Sequence, residues 1–320
     1  MPLLDVEDLQ TYYNARGGVV KAVDGISFQL NEGESLGIAG ESGCGKTTLG
    51  LSLMKLLPPN GWVSGGKIRL DGQDIVTMDE SKFRKEVRWR KISTIFQGAM
   101  SALNPVYTIG YQLAEPLIYH QKMSKKDAES KSIDVLKSVG MDRDVFLRYP
   151  HELSGGMKQR VIIAMALILN PKIVIADEPT TALDVIVQAQ VINLLKKLKR
   201  ENRLSIILIT HDLGLISEIA DKVGIMYAGR MVEFGSIEEV YDSPKHPYTE
   251  KLLKSVPRLK GRKRKLEFIP GTPPDLTNPP TGCRFHPRCH KVMEICSRQE
   301  PPTIIQKTQK TACWLYAKRS

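Results

Sequence analysis

The apolar run Leu36-Gly-Ile38-Ala39 leads directly into Gly40-Glu-Ser-Gly-Cys-Gly45-Lys46-Thr47, and helix-forming sequence follows at once. A short strand without polar alternation is buried on both faces, and a strand, glycine loop and helix in that order open a parallel α/β sheet. The loop fits G-x-x-x-x-G-K-[ST] in the context that motif requires. Its glycines let successive backbone N–H groups turn inward onto phosphate oxygens, with the helix N-terminus adding a favourable dipole. Gly40, Ser42, Gly43, Cys44, Gly45, Lys46, Thr47 and Thr48 are therefore the candidate nucleotide contacts. Lys46 is expected on the β- and γ-phosphates and the Thr47 hydroxyl on Mg²⁺; Cys44 enters only as a small side chain.

A second anion-binding turn, Leu153-Ser154-Gly155-Gly156-Met157, lies far along the chain. Small residues opening a helix present free N–H groups to an anion. The apolar run Ile173-Val-Ile-Ala176 then closes on Asp177-Glu178, which presents one carboxylate at a strand end to a Mg²⁺ shell and the next to an attacking water as general base. His211 directly follows a further buried strand, Ile206-Ile-Leu-Ile-Thr210, and its imidazole suits a γ-phosphate contact. Gln97, after Ile92-Ser-Thr-Ile-Phe96, offers an amide able to touch both metal and water.

The 320 residues are 42% hydrophobic and 25% charged, a composition that excludes a disordered chain and a membrane-embedded one. The longest apolar stretch, residues 161–169, is about half of what a bilayer crossing needs. The first residues carry acidic groups where a secretion signal is basic, so a cytoplasmic chain is expected. The formal charge of +11 includes a cluster at Arg258, Lys260, Arg262, Lys263, Arg264 and Lys265. Pro257 and Gly261 break that run, which reads as a solvated linker rather than a contact for nucleic acid or anionic lipid.

Along the chain, Leu4-Val6 and Ile26-Phe28-Leu30 alternate as antiparallel strands do. A helix is expected over 46–57, ended by Pro58-Pro59, and a mostly helical insert over about 98–156, with Ser124 opening one helix and Gly140 closing it. A helix over 185–200 and a closing strand pair at 223–227 and 231–234 complete the body. Composition turns Pro-, Lys- and Cys-rich after about residue 241, giving domains of 1–241 and 242–320. The chain contains no internal repeat, which argues against two copies of this unit in one polypeptide.

The phosphate loop, Gln97, the Ser154 turn, Asp177-Glu178, Ala182-Leu183-Asp184 and His211 occur in the order and rough spacing of ABC-transporter ATP-binding domains, which residues 3 to about 240 resemble. The resemblance implies an α/β fold with a RecA-like parallel sheet core, an N-terminal antiparallel β subdomain and a helical insert. It implies two ATPase domains paired head to tail, each nucleotide clasped between one chain's phosphate loop and the other's Ser154, Gly155 and Gly156. It places Tyr13 on adenine, with Tyr12 as the neighbouring alternative, Asp184 across the dimer interface, and Gln97 as a link from metal to the insert that grips the membrane partner. The turn departs from the family pattern at Met157, usually Gln, and Gln159 does not obviously repair this.

Beyond the body, Ser243-Pro-Lys-His246-Pro247-Tyr248-Thr249, Gly282-Cys283-Arg-Phe-His-Pro-Arg-Cys289, Cys296 and Cys313 resemble the C-terminal extension of dipeptide and oligopeptide importer ATPases. Phe96-Gln97, Ser101-Ala-Leu103-Asn104-Pro105 and Met157-Lys-Gln-Arg160 agree with that sub-family. It implies an ATPase on the cytoplasmic face of the membrane that serves two transmembrane permease subunits and, indirectly, an extracytoplasmic binding protein. A related second ATPase as heterodimer partner is expected, and nucleic acid is not. Oligosaccharide or nickel import, or a soluble non-transport ATPase of the same superfamily, are the alternatives. The cysteine spacing C-x₅-C-x₆-C-x₁₆-C in a reducing compartment reads as a ligand set, not disulfides. A 4Fe–4S cluster suits the loose spacing and the family, zinc and unliganded cysteines are the alternatives, and His286 and His290 are possible substitute ligands.

Overall fold

The computed structural model describes residues 1–181, 183–255 and 268–317. Ala182 and the basic run at 258–265 lie outside the described residues. The chain forms two compact units: one holds residues 1–30, 35–76 and 209–320, the other residues 31–34 and 77–208.

In chain order the first unit opens with β1 (Leu4–Ala15), β2 (Gly18–Leu30), β3 (Ser35–Ala39), α1 (Lys46–Leu53), β4 (Gly61–Leu70) and β5 (Gln73–Asp74). The second unit contributes α2 (Glu80–Glu86), β6 (Ile92–Ile95), α3 (Ile109–Gln121), α4 (Lys125–Ser138), α5 (Gly155–Leu167), β7 (Ile173–Asp177), α6 (Val185–Asn202) and β8 (Ser205–Ile209). The chain then returns to the first unit through α7 (Leu213–Ile219), β9 (Lys222–Tyr227), β10 (Arg230–Ser236), α8 (Ile237–Asp242), α9 (Pro247–Lys254), α10 (Glu294–Arg298), β11 (Thr303–Gln306) and β12 (Gln309–Ala312).

Within the first unit, β2-β1-β4-β5 make an antiparallel sheet. The alternation at Val6, Ile26, Phe28 and Leu30 does what period two dictates and buries one face. A second ladder runs β11-β12-β10-β9-β3. β3 and β9 pair in parallel, as the resemblance implied, and the strands beyond β9 are antiparallel, so the sheet is mixed. The hairpin β9–β10 turns through Ala228 and Gly229, both at positive φ (47° and 81°), the geometry of a two-residue turn that matches strand twist. The Cys-rich segment packs in this same unit, its β12 pairing with β10 through Glu233 and Phe234.

Within the second unit β8-β7-β6 are neighbours, and β6 and β7 run parallel with Ile95 opposite Ala176. Ile173 to Ala176 are wholly buried, as the unbroken apolar run demands. α3 and α4 pack together, and Leu113, Leu117, Ile133 and Leu136 on them are buried. Ser124 caps α4 by accepting from the Asp127 N–H at 3.2 Å, and Gly140 follows that helix at φ 74°. α1 ends at Leu53, four residues before the expected stop, with Lys55 already left-handed at φ 50°.

Candidate functional site

In the first unit the buried β3 delivers the chain into the phosphate loop. A Cβ on Gly40 would strike the carbonyl of Met226, and one on Gly45 the carbonyl of Ala22, so both positions admit only glycine. Gly43 sits at φ 77° with open space around it. Lys46 Nζ donates to the carbonyls of Gly40 (2.8 Å) and Glu41 (3.0 Å), which holds the ammonium at the base of the loop. Cys44 is buried and burial pushes its thiol pKa up, in keeping with a packing role. Ser42 and Thr47 are exposed, Thr48 half-buried.

Tyr13 donates its hydroxyl to Thr48 Oγ1 at 3.2 Å, beside α1. Tyr12 is engaged elsewhere: its hydroxyl donates to Asp24 at 2.6 Å, and burial together with that carboxylate pushes its pKa up to about 12. The Thr210 N–H donates to the Ile38 carbonyl at 3.2 Å, so His211 leaves the sheet edge beside the start of the phosphate loop, exposed. Asp212 then caps α7 by accepting from the N–H groups of Gly214 and Leu215.

In the second unit Asp177 is buried as the last residue of β7. Glu178, half-buried, adopts φ 47°, a left-handed conformation that a non-glycine residue holds only where its surroundings enforce it. Two donors meet its Oε2: the Gln97 amide at 3.3 Å and the Thr181 hydroxyl at 2.9 Å. With its nitrogen on Glu178, the Gln97 amide keeps its oxygen for another partner. Ser154 caps α5, accepting from the Met157 N–H at 3.4 Å, and Ser154 and Gly155 are exposed. A Cβ on Gly156 would come within 2.9 Å of Val187. Gln159 is buried against the body and does not stand in for Met157. Asp184 caps α6 through Val187 N–H at 2.9 Å.

Of the four cysteines, Cys296 and Cys313 are buried and Cys283 and Cys289 half-buried. Burial first, and then the neighbouring cysteines, push Cys283 up to about 12 and Cys313 up to about 11. The Cys283 N–H donates to the Cys296 carbonyl at 2.8 Å. Among the described residues no three His, Cys, Asp or Glu side chains gather closely enough to hold a metal ion. His286 Nδ1 lies 3.0 Å from the Cys283 carbonyl, and His290 Nε2 lies 3.7 Å from Glu250.

Sequence reasoning missed the polar brace behind the phosphate loop. Arg288 grips the carboxylate of Glu41, and Arg284 pairs with Asp24. Two arginines four residues apart inside a cysteine motif were the only signal, and their partners lie about 250 residues away.

The ABC transporter family profile matches residues 23–181, and the profile for the oligopeptide/dipeptide transporter C-terminal region matches residues 232–296. The dipeptide transport ATP-binding protein DppD of Bacillus subtilis is 47% identical over 99% of this chain and 96% of its own length. The chain belongs to the ATP-binding subunits of dipeptide/oligopeptide ABC transporters. The oligopeptide transport ATP-binding protein OppD of Escherichia coli is 47% identical over 98% of this chain and 93% of its own length. Among solved structures, the ATP-binding cassette MJ0796 in a dimeric, post-hydrolysis state bound to ADP and Pi is 27% identical with a TM-score of 0.65, covering 73% of this chain and 98% of that one. The cassette cbiO1 of Clostridium perfringens gives 29% identity and the same TM-score of 0.65, over 76% of this chain and 91% of that one. The α/β nucleotide-binding fold with its antiparallel β subdomain is thus shared with the family. No described helix is long and apolar enough to cross a membrane.

Proposed function

We propose that this chain is the ATP-hydrolysing subunit of an importer for di- and oligopeptides, sitting on the cytoplasmic face of the membrane beside two permease subunits and a second, related ATPase. The observation that carries the peptide assignment is the extension at 232–296, which matches the transporter-specific C-terminal region rather than the ATPase body alone.

ATP is the substrate. Gly40 to Thr48 bind its phosphates and Tyr13 its adenine, while Ser154, Gly155 and Gly156 receive the γ-phosphate held by the partner ATPase. Exposed Val185 and Ile186, next to Asp184, suit burial against that partner. Glu178 takes the proton from the attacking water, Gln97 and Thr181 fix its carboxylate, and His211 orients the water and γ-phosphate. Lys46 and the partner's phosphate-binding turn stabilise the charge that develops on the transferred phosphoryl group. Thr47, Gln97 and Asp177 supply only oxygen ligands, the donor chemistry of Mg²⁺, which when bound neutralises phosphate charge. Closure with ATP and reopening after hydrolysis drive the permease. Exposed Val106, Tyr107, Tyr111 and Tyr119 on the insert supply an apolar surface for it.

We assign a 4Fe–4S cluster to Cys283, Cys289, Cys296 and Cys313, with a structural or redox-sensing role. Mutual repulsion among the four thiols, once ionised, favours a cationic group between them. A tetrahedral zinc with Zn–S near 2.3 Å needs sulfurs about 3.8 Å apart. The spacing C-x₅-C-x₆-C-x₁₆-C lacks the tight C-x₂₋₄-C pairs that zinc favours, which supports the cluster over zinc. Anaerobic purification with an iron and zinc assay tests this: zinc without iron overturns the cluster.

The transport reading is tested by co-purifying the membrane complex, reconstituting it in vesicles, and measuring ATP-dependent uptake of labelled dipeptide, maltooligosaccharide and nickel. Uptake of peptide alone is expected. Uptake of nickel or sugar with no peptide uptake would reassign the cargo.

A further inference from the structure

The cysteine-bearing extension reaches back to the phosphate loop. Arg288, with its side chain 7% exposed, donates from Nη1 to Glu41 Oε2 at 2.6 Å and from Nη2 to Glu41 Oε1 at 2.9 Å. Such a two-pronged pair fixes both position and orientation of the carboxylate. The remaining donors of Arg288 are also spent: Nε on the Pro270 carbonyl at 2.7 Å, Nη1 on the Tyr227 hydroxyl at 3.2 Å and Nη2 on the Gly271 carbonyl at 3.3 Å. Glu41 is the second residue of the phosphate loop, and its backbone N–H donates to the hydroxyl of Tyr248, a fully buried residue of α9, at 2.9 Å.

The far end of the loop is held in parallel. Arg284 donates to the Ala228 carbonyl and pairs with Asp24. The next residue, Gly229, donates its N–H to the Cys44 carbonyl at 2.9 Å, and the Asp24 N–H donates to the Gly229 carbonyl at 2.8 Å. The extension therefore reaches the loop directly at Glu41 and through the β9–β10 turn at Cys44.

A glycine loop that must aim several N–H groups at one polyanion gives up much backbone freedom when it binds. Contacts that fix its shape beforehand remove part of that cost and raise affinity. Arg288 also neutralises a carboxylate in a loop whose ligand is strongly negative. We propose that Arg288 and Tyr248 are positioning residues of the ATP site, acting through Glu41, so that the C-terminal extension pre-orders the phosphate loop and sets the affinity for ATP.

The test uses the full chain and titrates Mg-ATP calorimetrically against Arg288→Gln, Arg288→Lys, Tyr248→Phe and Glu41→Gln, with steady-state hydrolysis measured alongside. Arg288→Gln is expected to weaken ATP binding roughly tenfold and Tyr248→Phe roughly threefold, the usual range for losing a charged and a neutral hydrogen bond. Turnover at saturating ATP should stay within about twofold, since neither side chain touches reacting atoms. Arg288→Lys should recover part of the loss, and in the Glu41→Gln background Arg288→Gln should add little, because the two act as one unit. By reciprocity, ATP should slow amide exchange at residues 283–289 in the unaltered chain and not in Arg288→Gln. Unchanged ATP affinity in both Arg288→Gln and Tyr248→Phe, with only a lower melting temperature, would overturn the proposal. Should Arg288→Gln fail to fold, Tyr248→Phe, which deletes a single oxygen, decides the matter alone.

Discussion

The Gln97 side-chain amide donates to Glu178 Oε2 across 3.3 Å, although 81 residues separate them. Parallel pairing of β6 and β7 explains the meeting: Ile95 lies opposite Ala176, and two residues further on each strand come Gln97 and Glu178. The register of two buried strands thus sets the aim of the carboxylate before nucleotide arrives.

Gln97→Ala should lower turnover at saturating ATP roughly tenfold and leave the ATP dissociation constant within about twofold, because what is lost is orientation of the base, not phosphate contact. Steady-state kinetics beside calorimetric titration separates the two. A change confined to affinity would remove Gln97 from the hydrolytic step.

Ser154 caps α5, and the proposed function gives it a second job that one substitution can part from the first. Aspartate caps helices as well as serine, so Ser154→Asp should melt close to the unaltered protein. The same change sets a negative charge where a partner's γ-phosphate is to dock, and hydrolysis in the assembled pair should fall roughly a hundredfold. Normal hydrolysis with the aspartate in place would contradict a phosphate-binding role for this turn.

Acid should destabilise the first unit through His246. Its ring is wholly buried, and burial lowers its pKa from 6.5 to about 3. The native state needs the neutral form, since Nδ1 accepts the Tyr248 N–H at 3.1 Å. The unfolded chain therefore binds the extra proton first, and this contribution to stability is present above pH 6.5 and lost as pH falls toward 3. The slope from this one group approaches about 1.4 kcal/mol per pH unit. Denaturant melts from pH 7 to 4 should show it, and His246→Asn should flatten it.

Residue patterns made part of this molecule legible. The unbroken apolar runs of β3, β7 and β8 and the glycine spacing of the phosphate loop need no distant partner to be read. β4 was not visible, because Gly61, Gly65 and Gly66 interrupt its alternation, and its place in the sheet rests on pairing with β1, with register shifts there, and with β5. The hairpin β11–β12 is four residues a side and owes its place to β10, some 75 residues earlier. The composition change near residue 241 suggests a boundary, and the segment after it packs in one compact unit with the N-terminal strands. The Arg288 to Glu41 contact spans 247 residues, and its local trace is no more than the arginine pair inside the cysteine motif.

The Glu178→Gln variant tests the proposed role of Glu178 as the hydrolytic base most directly, by ATP binding and phosphate release measured on the same preparation with Mg-ATP. ATP affinity within about threefold of the unaltered chain, turnover reduced by at least about a hundredfold, and a stable ATP-bound pair of cassettes are expected. Phosphate release at the unaltered rate would contradict that role.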